Sequence, residues 1–437
     1  MPQRKLTFLQ MFDLNFGFFG VQIAYALQSA NISRIFATLG ADPHQLSFFW
    51  ILPPLMGMIV QPLIGKWSDR TWCRMGRRKP YLLIGAIVAV LVMLLLPNAG
   101  NLSLSTAYVF LGLNAAMWFG LFSLIFLDTS INVAMQPFKM MVGDMVSEEQ
   151  KSTAYSIQSF LCNAGSLVGY LFPIFFTWIG IANTAPAGQI PASVKWSFYC
   201  GAAILILCVL YTFLRVKEMP PKEYAEFHNA QPSDEEPAGF LKCLFKAPRT
   251  FWTVSLVQFF CWAAFLLLWT YTNGAIASTC WNTTDVASAE YQAAGNWVGV
   301  LFAVEAVGAM LWALVIPRFS TLRTAYWVSL LLGAAGFASV YFLHNQYLLF
   351  ISFLLIGVAW GAILALPFTF VTNALKDHIG TYLGLFNCAI CLPQIVAAAT
   401  GGVILKGLGG SQAAMMLVAA VLLILAAAST FTINEKR

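Results

Sequence analysis

From Pro80 to Leu127 the chain carries no Asp, Glu, Lys or Arg, and the run ends on a single acid, Asp128. An uncharged stretch of this length exceeds the ~20 residues a helix needs to cross about 30 Å of hydrocarbon. Asp128 is followed by Asn132, Gln136 and Lys139. Steps of four, four and three place these side chains on one face of a helix. An Asp at the centre of a spanning helix costs roughly 2.5–3.5 kcal/mol on insertion scales, so it belongs beside a watery cavity rather than lipid. At ~1.5 Å per residue, Asp128 and Lys139 stand about 16 Å apart along the axis, and each needs another helix, water or a ligand. The stripe reads as the wall of a path through the bilayer.

Composition extends that reading to the whole chain. Of 437 residues, 59% are hydrophobic and 10% charged, against roughly 25% charged in soluble domains, which excludes a soluble protein. The nine cysteines lie mostly inside apolar runs and read as small buried hydrophobes, Cys388-x-x-Cys391 included. His44, His228, His344 and His378 fall in loops or at span ends without ligand spacing. No metal, cofactor or catalytic cluster is expected, which sets aside a membrane-embedded enzyme. The net charge of +6 reflects topology rather than nucleic-acid binding. Asp13 and Asn15 interrupt the first apolar stretch, so no removable signal is expected.

Twelve segments are long enough to span a bilayer. They lie near 8–38, 45–65, 80–97, 106–140, 152–180, 196–215, 251–279, 294–317, 324–343, 347–375, 380–405 and 411–432. The fourth is longer than a bilayer needs and is expected to tilt or protrude. With the N-terminus inside, all Lys and Arg except Arg34, Lys195 and Lys406 fall on the cytoplasmic side. A missed span would scramble that split, so both termini are expected in the cytoplasm. The expected fold is an all-α membrane protein of twelve helices in two six-helix bundles. Residues 1–215 form the first, 216–250 a polar linker with a surface helix at 239–246, and 251–437 the second. Pro137-Phe138 and Pro367-Phe368 sit near corresponding ends of spans four and ten, a faint echo between the halves.

The loop after span two reads Gly65-Lys-Trp-Ser-Asp69-Arg70-Thr-Trp-Cys-Arg74-Met-Gly76-Arg77-Arg78-Lys79-Pro80. Its glycines permit tight turns and close approach. Asp69 can accept hydrogen bonds at a neighbouring helix N-terminus, and the arginines can serve carbonyls or carboxylates at helix ends. Gly65, Asp69, Arg70, Gly76, Arg77 and Arg78 are therefore expected to act as a cytoplasmic latch; for Arg74 and Lys79, positive-inside charge suffices.

This loop resembles the G-x-x-x-D-R…G-R-R signature of the major facilitator superfamily. Its stretched form is similar to that of the sucrose-transporter branch of the glycoside–pentoside–hexuronide cation symporters, a branch that includes maltose-transporter-like members. Leu127-Asp128 through Gln136-Pro137 to Asp144, Ala26-Leu27-Gln28, and Asn387 with Pro393-Gln394 also resemble that branch. The resemblance implies import of a disaccharide or related glycoside, driven by a proton rather than sodium gradient, across the plasma (inner) membrane. Lys139 stands where the family carries Arg, which keeps the charge and loses the planar two-donor fork.

A sugar–proton symporter needs a carboxylate near the midplane, and Asp128 fills that role, with Glu305 in span eight as a second proton site or a sugar ligand. Asp13, near the end of span one, is open to either a functional or an interfacial role. Amides both donate and accept, which suits sugar hydroxyls. The candidate sugar contacts are Gln28, Asn132, Gln136, Lys139, Asn163, Trp269, Asn387 and Gln394, with Trp269 stacking on a ring. Each amide has an alternative role as helix–helix glue. Gly165-x-x-x-Gly169 is expected to let span five pack closely, and Pro53-Pro54, Pro137, Pro173, Pro367 and Pro393 to bend their helices. An antiporter exporting other small molecules on the same fold, and a sugar receptor that does not transport, remain as alternative readings.

Overall fold

A computed structural model describes residues 5–101, 110, 113–220, 223, 245–374 and 379–434. Its long elements are helices. In chain order they are α1 (Phe8–Thr38), α2 (Pro43–Phe49), α3 (Leu52–Arg70), α4 (Lys79–Leu95), α5 (Ala115–Met145), α6 (Glu148–Trp178) and α7 (Ala192–Arg215). Then follow α8 (Arg249–Cys280), α9 (Ala289–Ala313), α10 (Leu322–Phe342), α11 (Leu349–Ala374), α12 (Ile379–Gly407) and α13 (Gln412–Ser429).

Among the described residues, eleven helical segments are long and apolar enough to cross a membrane. The first helix, α1, is not among them, although its 31 residues extend about 46 Å. Its shortfall comes from Asn15, Gln22, Gln28, Asn31 and Arg34, all buried against protein rather than offered to lipid. By length α1 completes the twelve expected spans.

Local chemistry sets the ends. Asn114 caps α5 by accepting from the Met117 amide at 2.8 Å, so that helix starts well after position 106. The second span is two helices: the chain breaks at Trp50 and Ile51, and Pro53 and Pro54 sit in the first turn of α3. A missing N–H costs nothing in a first turn, so there the two prolines start a helix rather than bend one. Pro137, Pro173, Pro367 and Pro393 lie inside α5, α6, α11 and α12, and Pro62 inside α3. The helix expected at 239–246 falls largely outside the described residues.

The chain divides into two compact units. One comprises Met1–Ile32, Met56–Ala182 and Gln189–Glu236; the other comprises Ser33–Leu55, Asn183–Gly188 and Pro237–Arg437. In the first, α4 packs on α5 and α7; in the second, α10 packs on α11 and α13. Those are corresponding spans of each half, so the proline echo in the sequence reflects a repeated packing pattern. Close approach depends on missing side chains. A Cβ at Gly165 would lie 2.3 Å from the Phe19 carbonyl oxygen, and one at Gly169 2.8 Å from that of Ile23. The Gly165/Gly169 pair therefore seats α6 on α1.

Candidate functional site

The first unit gathers a polar cluster around Asp128. This residue is 2% exposed and lies near the middle of α5. Gln28 of α1, equally buried, donates its amide to Oδ1 of Asp128. Oδ2 of Asp128 and Oε1 of Gln28 are buried and make no hydrogen bond among the described residues. One turn on, Asn132 donates to the Asp128 main-chain carbonyl at 2.8 Å and accepts from Gln61 of α3 at 2.7 Å. Thr129 points its hydroxyl at the Met56 sulfur, 3.3 Å away. Gln28 of α1 thus meets the carboxyl itself, while Asn132 and Gln61 join α5 to α3 one turn on through amides, which both donate and accept.

The stripe from Asp128 runs outward as its spacing predicts. Asn132 is buried, Gln136 half-buried and Lys139 exposed. A Cβ at Gly65 of α3 would lie 4.0 Å from the Gln136 amide, an ordinary contact, so α3 faces the stripe there without needing a glycine. Asn163 faces differently: its amide donates to Ser159 in its own helix at 2.8 Å. Asp13 accepts from the Tyr211 hydroxyl at 2.7 Å. It also borders a cavity of about 190 Å³ that Gln10, Arg215 and Lys217 share.

The second unit holds the remaining candidates. Glu305 is 6% exposed in mid-α9, and among the described residues it meets no ion-pair partner. Gly357 of α11 lies against the Glu305 backbone, where a Cβ would fall 2.1 Å from the carbonyl oxygen. Trp269 sits in a cluster of indoles, its ring 6.2 Å from Trp50, 5.8 Å from Trp360 and 6.4 Å from Trp262. Ser33 fixes it in place, accepting from the Trp50 indole at 2.9 Å and donating to the Trp269 carbonyl at 3.1 Å. Gln394 donates to Ile390 in its own helix at 3.0 Å, and Asn387 is half-buried on α12.

The signature loop closes on its own unit. Glu218, just after α7, accepts from the main-chain amides of Arg77, Arg78 and Lys79 at 2.7–3.0 Å, capping the start of α4. Arg77 and Arg78 both reach Asp144 at the end of α5, at 3.1 and 2.8 Å. The buried Arg78 also donates to Ser68 Oγ. Gly76 turns the chain at φ +113°, and a Cβ there would meet the Glu218 carboxylate at 2.6 Å. The anion at this helix N-terminus is therefore Glu218; the side chain of Asp69 lies outside the described residues. Arg70 ends α3, exposed.

Sequence reasoning passed over Gln61, Trp50, Trp360 and Glu218. Gln61 carried a usable signal, being the lone amide between Pro53 and Lys66. For Glu218 there was none, since an acid after a span end reads as linker charge.

A helical fold with eleven segments able to cross a membrane among the described residues, and a first helix long enough to be a twelfth, defines an integral membrane protein. The chain belongs to the MFS/sugar transport protein family, whose model matches residues 17–379. It is 28% identical over 231 residues to sucrose transport protein SUT1 of Oryza sativa subsp. japonica, a match covering 50% of this chain and 43% of that protein. The chain thus spans less than half the length of that relative. With sucrose transport protein SUT5 of Oryza sativa subsp. indica it shares 23% identity over 430 residues, 88% of this chain and 80% of the other. In fold it is similar to the crystal structure of the nucleoside transporter NupG, with TM-score 0.66 and 15% identity over 98% of this chain and 100% of that one.

Proposed function

We propose that this chain is a secondary active transporter that imports a disaccharide or related glycoside, sucrose- or maltose-like, together with a proton by alternating access. The observation that carries the reading is Asp128. It is buried in mid-span, hydrogen-bonded to Gln28 with the Asn132–Gln61 pair one turn on, and one carboxyl oxygen has no partner among the described residues. In that cluster it is the group able to gain or lose a proton. The similarity to two sucrose transport proteins supports the choice of sugar.

On this reading, Gln28 keeps its hydrogen bond to Oδ1 whether Oδ2 is bare or protonated, so the carboxyl can cycle without losing its orientation. Gln136 and Lys139 continue the polar wall, Asn163, Asn387 and Gln394 offer further amides, and the indoles around Trp269 cover the C–H face of a sugar. Glu305 serves as a second protonatable site. One charge moving through 100 mV supplies about 2.3 kcal/mol, roughly a fiftyfold accumulation before any pH gradient is added. The signature loop, Gly65, Asp69, Arg70, Gly76, Arg77 and Arg78, forms a cytoplasmic latch that favours one conformation. The charge split of the loops supports cytoplasmic termini, and the bundles 1–215 and 251–437 rock about the linker 216–250. The membrane is the plasma (inner) membrane.

The test is Asp128→Asn in reconstituted vesicles. It is expected to abolish uphill uptake under an imposed proton gradient while exchange of labelled sugar across the membrane persists. Normal accumulation by the variant refutes the coupling role. Thermal-shift screening of mono- and disaccharides on purified protein identifies the sugar, because a ligand that binds the native state raises its stability by mass action. Binding without exchange in the native protein marks a receptor, and sugar-for-solute exchange indifferent to the proton gradient marks an antiporter.

A further inference from the structure

Arg34, near the end of α1, is 1% exposed. It donates from Nε to Gln292 Oε1 at 2.7 Å, from Nη1 to Asn296 Oδ1 at 2.8 Å and from Nη2 to Asn183 Oδ1 at 2.9 Å. Every one of these acceptors is an amide. Gln292 and Asn296 stand one turn apart on α9, and Asn183 belongs to the loop between α6 and α7. The cage is closely built. Gln292 is itself held, donating to the Val286 carbonyl at 2.8 Å, and a Cβ at Gly295 would lie 2.6 Å from Arg34 Cδ. A buried guanidinium normally meets a carboxylate or phosphate, whose charge offsets its desolvation.

The location gives the cage its meaning. The end of α1 and the 183–188 loop lie at the end of the spans opposite the signature loop, because α1 and α3 run in opposite directions. Ser33–Leu55 and Asn183–Gly188 come from the first six spans, yet they pack with α8–α13 in one compact unit. In that unit His44 of α2 lies against α12 at Gly402, where a Cβ would fall 2.1 Å from its carbonyl oxygen. Tyr271 and Asn273 of α8 are buried in the same unit, their side-chain polar atoms without a well-formed hydrogen bond among the described residues. Parting of these segments would give such groups water.

We propose that the Arg34 cage is the closed gate at this end of the pathway, with Arg34 as its pin, and that its all-amide construction is what lets the gate part. The proposal rests on the transport reading above and names the gate for it. A carboxylate among the acceptors would make a buried ion pair that each opening has to break, whereas neutral amides hold the guanidinium by hydrogen bonds that water can replace. The ionisable group facing Arg34 from α9 is Tyr291. Asp42, Asp285 and Glu290 at this end are exposed, His44 and Lys195 are half-buried, and Lys406 is exposed on α12.

The experiment places spin labels at Phe48→Cys and His344→Cys, both exposed sites of this unit, with exposed Cys73 replaced by Ser. Distances are measured by double electron–electron resonance in sugar-free detergent at pH 5.5 and 8. The chain with its native cage is expected to give one distance distribution at both pH values. Arg34→Gln is expected to add a longer population at least fivefold larger than in the parent, also at both. Gln292→Glu introduces the missing carboxylate. Its sugar exchange relative to the native chain is expected to fall at least tenfold at both pH values, because the guanidinium beside it keeps the new carboxyl ionised. An Arg34→Gln distribution identical to the parent's overturns the gate, as does Gln292→Glu exchange equal to that of the native chain. If Arg34→Gln fails to fold, the Gln292→Glu arm decides. If the native chain exchanges no sugar, the transport reading fails and the sugar-free distances decide the gate separately.

Discussion

Asp128 owes its setting to residues more than sixty positions away in the chain. Gln28 supplies a donor from α1, and Gln61 holds Asn132 from α3. Replacing Gln28 with Leu leaves a buried carboxyl oxygen without its donor, a loss worth about 1–3 kcal/mol. A lower melting temperature of purified Gln28→Leu than of Gln61→Leu is the expected result, since Asn132 keeps its bond to the Asp128 carbonyl when Gln61 is lost. Exposed charges behave otherwise. Lys5 and Glu149 pair at 2.7 Å, and the hydrogen bond from Lys5 holds the Glu149 carboxyl below the usual glutamate range. A lowered folded value means the contribution is present above the unfolded value of about 4.3 and fades as pH falls through the folded one. Both side chains are exposed, so Lys5→Met is expected to lower melting only slightly at pH 7, and the difference from the parent to vanish as pH falls below about 4.

At the scale of elements, glycine decides where helices can touch. Gly165→Ala drives a methyl group into the Phe19 carbonyl of α1, whereas nothing lies within 4 Å of a Cβ at Gly407 of α12. Overpacking of that kind costs typically 1–3 kcal/mol, so Gly165→Ala is expected to melt several degrees lower and Gly407→Ala to match the parent. The start of α4 offers a second contrast. Glu218 accepts from three successive amides that otherwise have no partner within the helix. Its replacement by Ala is expected to cost about 1–2 kcal/mol, the upper range for losing a cap. Gly76→Ala is expected to do comparable damage, through both its φ of +113° and the clash with the same carboxylate. Glu218→Gln tests the charge, because an amide oxygen still accepts but does not complement the positive helix end as strongly.

For the whole molecule, the repeated packing of α4 on α5 and α7 and of α10 on α11 and α13 is what a duplicated six-span unit produces. Topology is open to direct measurement. Impermeant labelling of single cysteines in sealed inside-out and right-side-out vesicles is expected to place Arg74, in the signature loop, on the same side as both termini. Asn345 is expected on the opposite side. An Asn345→Cys variant labelled from the side of the termini would invert the charge argument and one of the spans behind it.

Hydrophobic run lengths and the uneven loop charge were sufficient to read the membrane class, the spans and the carboxyl at position 128, because burial in a bilayer imposes one rule on every residue of a span. The first span showed the limit of that rule: Arg34 read as a stray charge on the sparsely charged side, and its amide cage, drawn from positions 183, 292 and 296, left no local pattern. Glu218 over the α4 amides and Trp50 against Trp269 escaped for the same reason, whereas Gln61, the lone amide between Pro53 and Lys66, was within reach of the sequence. Periodicity reports which face of a helix is apolar, but a polar contact between helices is set by how their axes cross and by which side chains happen to meet there. Only the folded chain fixes that geometry.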